Sequence, residues 1–421
     1  MPPEPSLSRR DRLPPRVLPL LYLGAAHLSL AAAFAVIAVD PAGVAGFFYH
    51  PRLILVVHLV TLGWITSSIL GAVYLVGPMA LGTPMPAEPS DWGSFALDLL
   101  GYSGVAFHFG IEELSGVGLS AVLVLLAVGR IGVKLLLGLS ASRVPAAVQA
   151  HFALAFLNFA GAAFMGMLLA FNKLFSFLPG YVLANVFAHA HLAVLGWATM
   201  MVFAAGYRLL PMLLPAAMPQ GKGVWTSAAV FEAGVVGLFV ASLLQSPWRK
   251  AFAVLTVAGI GAFFVQVRWM TRNRRPPPKK LKRPDWGVLH AMTALGYLGL
   301  SAVLGLVLVF TETSSAPLVL VYGTCGLVGF LSQMIVGVSS RLLPIYSWLR
   351  ASADSPPAFS PHDLPDRRLQ AAAFLLWAAG VPALAAGLFL DRTGIVGLGG
   401  WLLLAAVAAG GASGVRALYS T

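Results

Sequence analysis

The sequence has very little charge for its length. Only 10% of its 421 residues are Asp, Glu, Lys or Arg, whereas 58% are hydrophobic and the mean hydropathy is +0.84. A water-soluble globule of this size would lack the polar side chains needed to cover its surface, so that class is excluded. The composition therefore predicts a polytopic membrane protein whose main partner is the lipid bilayer.

Cysteine is almost absent as well. The single one, Cys325, lies in an apolar run, so the chain forms no internal disulfide. No Cys-x-x-Cys-His sequence is present, which excludes covalently attached c-type haem.

Acidic residues are the third shortage, with 15 Asp and Glu against 27 Lys and Arg, which gives a net charge of +12. In a soluble protein such an excess would indicate nucleic acid. In a membrane protein, basic residues lie in loops beside the spans, where they meet anionic lipid and fix the orientation. We therefore expect no nucleic-acid partner.

Long apolar runs predict an all-α bundle of twelve transmembrane helices. A helix needs about 20 residues to cross about 30 Å of hydrocarbon. The predicted spans are roughly 17–39, 51–79, 93–110, 114–138, 147–170, 180–213, 224–245, 249–270, 286–310, 316–346, 369–390 and 394–418.

The basic residues predict the orientation of these spans. With residues 1–16 as a cytoplasmic tail, most Lys and Arg fall on the inner side, including the cluster from Arg268 to Arg283. Because positively charged loops stay in the cytoplasm, we expect both termini to be cytoplasmic and the protein to lie in the inner (cytoplasmic) membrane of the cell.

One phrase occurs three times along the chain. His-Leu-Val-Thr-Leu-Gly-Trp begins at His58 in span two, and His-Leu-Ala-Val-Leu-Gly-Trp begins at His191 in span six. A third copy in span ten has Thr324 at the histidine position, and a proline follows at the same distance in all three. Packing at this position therefore does not by itself require an imidazole.

This recurrence in spans two, six and ten predicts three tandem four-helix repeats. The expected division is a tail over 1–16, repeats over 17–138, 147–270 and 286–418, and a basic cytoplasmic linker over 271–285. Repeats related by an axis along the membrane normal place equivalent residues at equal depth. We therefore expect His58 and His191 to be level in the outer half of the membrane.

Ionisable residues inside the spans are the candidate functional groups, because such residues are costly in lipid. We expect at least one of His58, His189 and His191 to bind metal or haem iron, since both accept neutral imidazole and haem needs only one or two such ligands. His189 and His191 point to nearly opposite faces of one helix, at about 100° per residue, so they would serve separate sites. Asp98 and Glu232 are candidates for a proton path.

Three further histidines, His27, His151 and His290, lie in the first helix of each predicted repeat. A lone intramembrane histidine commonly bridges two helices by hydrogen bonds. Because the three recur, we expect them to have a shared packing role.

The pattern of spans and histidines resembles subunit I of the haem-copper oxidase superfamily. The nearest likeness is to the nitric oxide reductases and C-type oxidases, whose second helix has a similar series of His, Trp, Gly, Tyr and Pro. The matching residues here are His58, Trp64, Gly71, Tyr74 and Pro78. The resemblance implies that His58 ligates a low-spin haem b and that His189 or His191 ligates copper.

The ligand set departs from that family. Span ten has Thr324-Cys325-Gly326 where the family has His-x-His, and span seven lacks the family's pair of histidines. The resemblance therefore implies a divergent oxidoreductase-like haem protein without standard terminal-oxidase activity. It would transfer electrons from a membrane or periplasmic donor, or bind or reduce a small gas such as nitric oxide or oxygen.

Two alternatives stay open. One is a proton- or metal-ion-linked transporter or channel that uses Asp98, Glu232 and the histidines. The other is a structural or assembly subunit that has lost its cofactors.

Overall fold

A computed structural model describes residues 13–276, 283–311, 315–352 and 359–419. Within these ranges the chain is 83% helical and contains no β-strand; the one β-type contact there is an isolated bridge between Ala216 and Arg274. The prediction of an all-helical fold is confirmed.

The described residues form a series of long helices. In chain order they are α1 Leu18–Val39, α2 Pro51–Leu81, α3 Pro89–Gly110, α4 Leu114–Ser140, α5 Ala146–Phe175, α6 Val182–Leu213, α7 Lys222–Leu243, α8 Arg249–Arg272, α9 Trp286–Thr311, α10 Ala316–Ala351, α11 Arg367–Phe389 and α12 Thr393–Tyr419, with a short helix Pro41–Val44 after α1.

Eleven of these helices are long and apolar enough to cross a membrane, and α3 is the one that does not meet this description. A multi-pass membrane fold is therefore confirmed. A twelfth span at α3 and the three-repeat organisation stay predictions, and so do the orientation and the identity of the membrane.

Local sequence signals explain where several helices begin. Glu113 accepts hydrogen bonds from the first backbone N–H groups of α4, and Asp366 does the same for α11. Glu88 and Asp91 form a reciprocal capping pair at the start of α3, where Pro89 follows the cap. Such caps satisfy N–H groups that have no partner within the helix.

The helices pack in chain order around the bundle. Each helix contacts the next one, and α12 contacts α1, so the ring closes. In addition, α2, α6 and α10 contact one another. These three, called the inner helices below, are the ones that carry the recurring phrase.

Each inner helix changes locally from α-helical to π-helical hydrogen bonding. The π segment starts directly after His58, His191 and Thr324, respectively. The three segments, each of eight residues, are Leu59–Thr66, Leu192–Thr199 and Cys325–Ser332. They touch one another in pairs. π turns are rare and occur often at functional sites. The junction of these three segments is therefore a candidate functional site.

The glycine of the phrase permits close packing between helices. A Cβ at Gly196 would lie 2.8 Å from Asn158 Cβ of α5, and one at Gly329 would lie 2.6 Å from Tyr297 Cγ of α9. Gly63 of α2 meets α1 in the same way. Each inner helix therefore packs directly on the first helix of its predicted repeat.

Candidate functional site

His58 lies at the start of the π segment of α2. Its Nδ1 is 2.8 Å from the carbonyl oxygen of Ile54, and its ring stacks on Phe109 of α3 with 4.9 Å between centroids. Because a carbonyl only accepts hydrogen bonds, Nδ1 carries the proton and Nε2 keeps a free lone pair.

His191 has the matching position in α6 and the same local geometry. Its Nδ1 donates to the carbonyl of Phe187 at 2.7 Å. Its Nε2 faces the hydroxyl of Tyr322 on α10 at 3.4 Å, and the two rings stack with 6.1 Å between centroids. The lone pair of His191 is thus engaged by one long hydrogen bond across the junction of the inner helices.

His189 turns instead toward α5. Its Nδ1 donates to the carbonyl of Ala162 at 2.9 Å, and a Cβ at Gly166 would lie 2.9 Å from its Cε1. The ring is therefore fixed by a neighbouring helix rather than by its own. His58 lies within electrostatic range of His189, so the structure brings these two imidazoles near each other, while His191 faces α10.

The three imidazoles share a feature of metal-ligating histidines. Such ligands donate one ring N–H to a carbonyl or carboxylate, which fixes the ring and leaves the other nitrogen for the metal. In the described part of the chain, Nε2 of His58 and Nε2 of His189 make no hydrogen bond. These two nitrogens fit haem iron, which needs one or two imidazoles.

Copper fits the same residues less well. Among the described residues there is no group of three or more His, Cys, Asp or Glu side chains placed to hold one metal ion. A haem needs fewer protein ligands than a copper ion in a three-histidine site. The donor set therefore favours haem.

The three histidines of α1, α5 and α9 have different surroundings. His151 uses both ring nitrogens, donating to Ala147 and contacting Ser227 Oγ at 3.1 Å, as a packing residue does. His27 and His290 instead line one cavity of about 50 Å³, and His290 Nδ1 has no partner. These contacts do not test the shared packing role expected from their recurrence, which stays a prediction.

The position of His27 also differs from that of His290. Gly71 of α2 packs on Tyr22, whereas Gly337, its equivalent in α10, packs on His290. Tyr22 is thus the residue of α1 that corresponds to His290, and His27 lies five positions further on. Its ring meets Trp64 edge-on, with 5.0 Å between centroids.

The two candidate carboxyls lie apart from the histidines, and each is joined to a π segment. Asp98 is buried and accepts a hydrogen bond of 2.7 Å from Ser67, the residue directly after the π segment of α2. Glu232 accepts from Asn158 at 2.8 Å, and Asn158 also donates to the carbonyl of Gly196 in the π segment of α6.

Sequence reasoning missed two residues near these sites. The contact of Tyr322 with His191 could not be predicted from the sequence, because the two residues are 131 positions apart. Asp91 is fully buried and pairs with Lys134 at 2.6 Å and Arg130 at 3.2 Å. Its spacing of seven residues from Asp98 places both on one face of α3, and that was the available signal.

Comparison with models of known protein families finds no match, and comparison with curated proteins finds none either. The resemblance to haem-copper oxidase subunit I therefore rests on the spans, the repeated phrase and the histidines of this chain.

Proposed function

We propose that the chain is a divergent membrane haem protein resembling haem-copper oxidase subunit I. It transfers electrons, or binds or reduces a small gas such as nitric oxide or oxygen. One observation carries the proposal: His58, His189 and His191 each fix Nδ1 on a backbone carbonyl and keep Nε2 clear of the helix backbone. This is the tautomer that ligates iron.

The proposed architecture has twelve spans in three four-helix repeats, with both termini in the cytoplasm. The matching π segments and the ring of helices support it. The composition of α3 supports its role as a span, because it buries Asp91 and Asp98 while it exposes the apolar side chains of Leu100 and Phe107. That distribution suits a helix that faces lipid on one side and a polar interior on the other.

In this proposal His58 and His191, at matching positions of α2 and α6, ligate haem b as a pair or in two equivalent slots. Ligation by His191 would replace its hydrogen bond with Tyr322. His189 is the candidate for a second site. The haem supplies a redox-active, gas-binding iron. The protein supplies imidazoles of fixed tautomer and aromatic neighbours, Phe109 beside His58 and Tyr322 beside His191. A donor in the membrane or periplasm delivers the electrons.

Pyridine haemochrome and metal analysis of the purified chain test this function. We expect haem b in a fixed ratio to protein, and copper analysis decides whether the same nitrogens also hold copper. A colourless preparation from cells with ample haem would overturn the proposal.

A second candidate is a proton- or metal-ion-linked transporter or channel. The observation that favours it is that two carboxyls are linked to the inner helices. Buried Asp98 bonds to Ser67, directly after the π segment of α2, and partly buried Glu232 is linked through Asn158 to Gly196 in the π segment of α6. Ion or proton flux in proteoliposomes from a haem-free preparation would support it. A cofactor-less assembly subunit would show neither haem nor flux.

A further inference from the structure

Buried polar atoms without a partner are concentrated between α1, α2 and α3. Within the described ranges, these atoms include the hydroxyls of Tyr22 and Tyr74 and one carboxyl oxygen of Asp98. Oδ1 of Asp91 also makes no hydrogen bond, although it lies 3.2 Å from the guanidinium of Arg130. None of the four residues is more than 1% exposed. Native proteins seldom leave such atoms unpaired, and ordered water is their usual partner.

These four side chains lie near one another in a series. The rings of Tyr22 and Tyr74 stack with 6.2 Å between centroids. Tyr74 lies beside Asp91, and Tyr22 lies within electrostatic range of both carboxyls. Asp91 and Asp98 are two helical turns apart on one face of α3, about 10 Å along its axis.

The two ends of the series have different surroundings. At one end Asp91 pairs with Lys134 and Arg130, whose side chains are partly exposed, and Lys134 also contacts Glu88 at 3.4 Å, which is half exposed. At the other end Asp98 meets Ser67, next to the π segment of α2. The series therefore leads from an aqueous end of the bundle to its interior.

We propose that Asp91, Tyr74, Tyr22 and Asp98 line a column of ordered water that carries protons between the Lys134 end and Ser67. Each transfer breaks one O–H bond and forms another, so no oxidant or reductant is needed. The positive charges of Arg130 and Lys134 at the mouth oppose the entry of metal cations. The column does not depend on the haem proposed above.

The second predicted repeat provides an internal comparison. Tyr207 stands at the same distance after His191 as Tyr74 does after His58, and it is also fully buried. Its hydroxyl, however, bonds to Ser227 Oγ at 2.7 Å. Tyr207 therefore needs no water and serves as the matched control.

Radiolytic hydroxyl-radical labelling of the full chain in lipid nanodiscs tests for the water. Radicals formed from internal water modify the side chains beside it, so we expect mass spectrometry to find Tyr22 and Tyr74 oxidised and Tyr207 unmodified. Labelling of Tyr22 and Tyr74 no greater than that of Tyr207 would overturn the column.

Infrared exchange into heavy water tests the proton path. The carboxyl band of Asp98 is assigned by its loss in Asp98→Asn, and we expect Tyr74→Phe to slow its exchange about tenfold or more. Tyr207→Phe should leave the exchange rate unchanged. Exchange at the wild-type rate in Tyr74→Phe, or the lack of an Asp98-dependent band wherever the protein stays folded, would contradict the proposal. Either result leaves the haem analysis unaffected.

Discussion

The indole N–H of Trp197 donates a hydrogen bond of 3.1 Å to Thr66 Oγ1. Both residues are buried, and the bond joins the π segments of α6 and α2. It therefore fixes the two helices that carry His58 and His191 relative to each other.

Removal of this acceptor is expected to destabilise the bundle. Thr66→Val keeps the shape of the side chain but leaves the buried indole N–H without a partner, which should lower the free energy of unfolding by about 1–3 kcal/mol. The measurement is reversible denaturation in detergent micelles. Thr199→Val is the control, because Thr199 is equally buried but bonds only within α6, to Val194. Equal losses in the two variants would show that the link between the helices contributes nothing.

The orientation predicts the behaviour of reporter fusions. A reporter joined within 272–283 should give the signal of a cytoplasmic fusion. This segment carries the densest positive charge of the chain, and positively charged loops stay in the cytoplasm. A reporter joined at 246–248, between α7 and α8, should behave in the opposite way. A periplasmic signal from the first fusion would refute the topology.

Stability should fall with acid at the contact between His362 and α10. Arg341 donates a hydrogen bond of 3.0 Å to Nδ1 of His362, which requires an unprotonated ring. Burial lowers the pKa of His362, and the Arg341 guanidinium lowers this pKa further, while Asp285 and Asp363 act in the opposite direction. The unfolded chain then binds the proton more readily, so stability should be constant above pH of about 6.5 and decrease below it.

Unfolding temperatures measured across this pH range provide the test. His362→Gln should remove part of the acid-dependent loss, because glutamine does not titrate. If the unfolding temperature of His362→Gln depends on pH as in the wild type, the contact between Arg341 and His362 does not contribute to the acid-dependent loss of stability.

Oxygen reduction to water should be absent or far slower than in a terminal oxidase. Span seven supplies no histidine for copper, and Thr324 provides no imidazole in α10. Oxygen uptake with an artificial electron donor is the measurement. Sustained uptake that cyanide abolishes would show that a complete binuclear centre is assembled from other residues.

Much of the fold could be predicted from the sequence, because a lipid environment forces long apolar runs into helices. The boundaries of α2, α6 and α10 follow the predicted spans closely at their starts. α3 is less apolar than the other eleven long helices, and Asp91 and Asp98 lower its mean hydropathy. Both of these residues are nevertheless buried in the interior.

The site was less accessible to sequence reasoning. The phrase marked where each π segment begins, but hydropathy does not distinguish α from π hydrogen bonding. The sequence also does not predict which residue of another helix bonds to a buried side chain. Examples are His189 with the carbonyl of Ala162 and His191 with Tyr322. The recurrence of histidines also did not show that the residue of α1 corresponding to His290 in packing is Tyr22 and not His27.

The visible spectrum of the purified chain and of its histidine variants tests the central claim most directly. We expect haem bands in the wild type that are lost or shifted in His58→Ala and in His191→Ala. His290→Ala should keep them nearly intact, and so should His151→Ala, whose ring nitrogens are both engaged in packing contacts. Folded His58→Ala and His191→Ala proteins with wild-type spectra and metal content would contradict the assignment of these imidazoles as haem ligands.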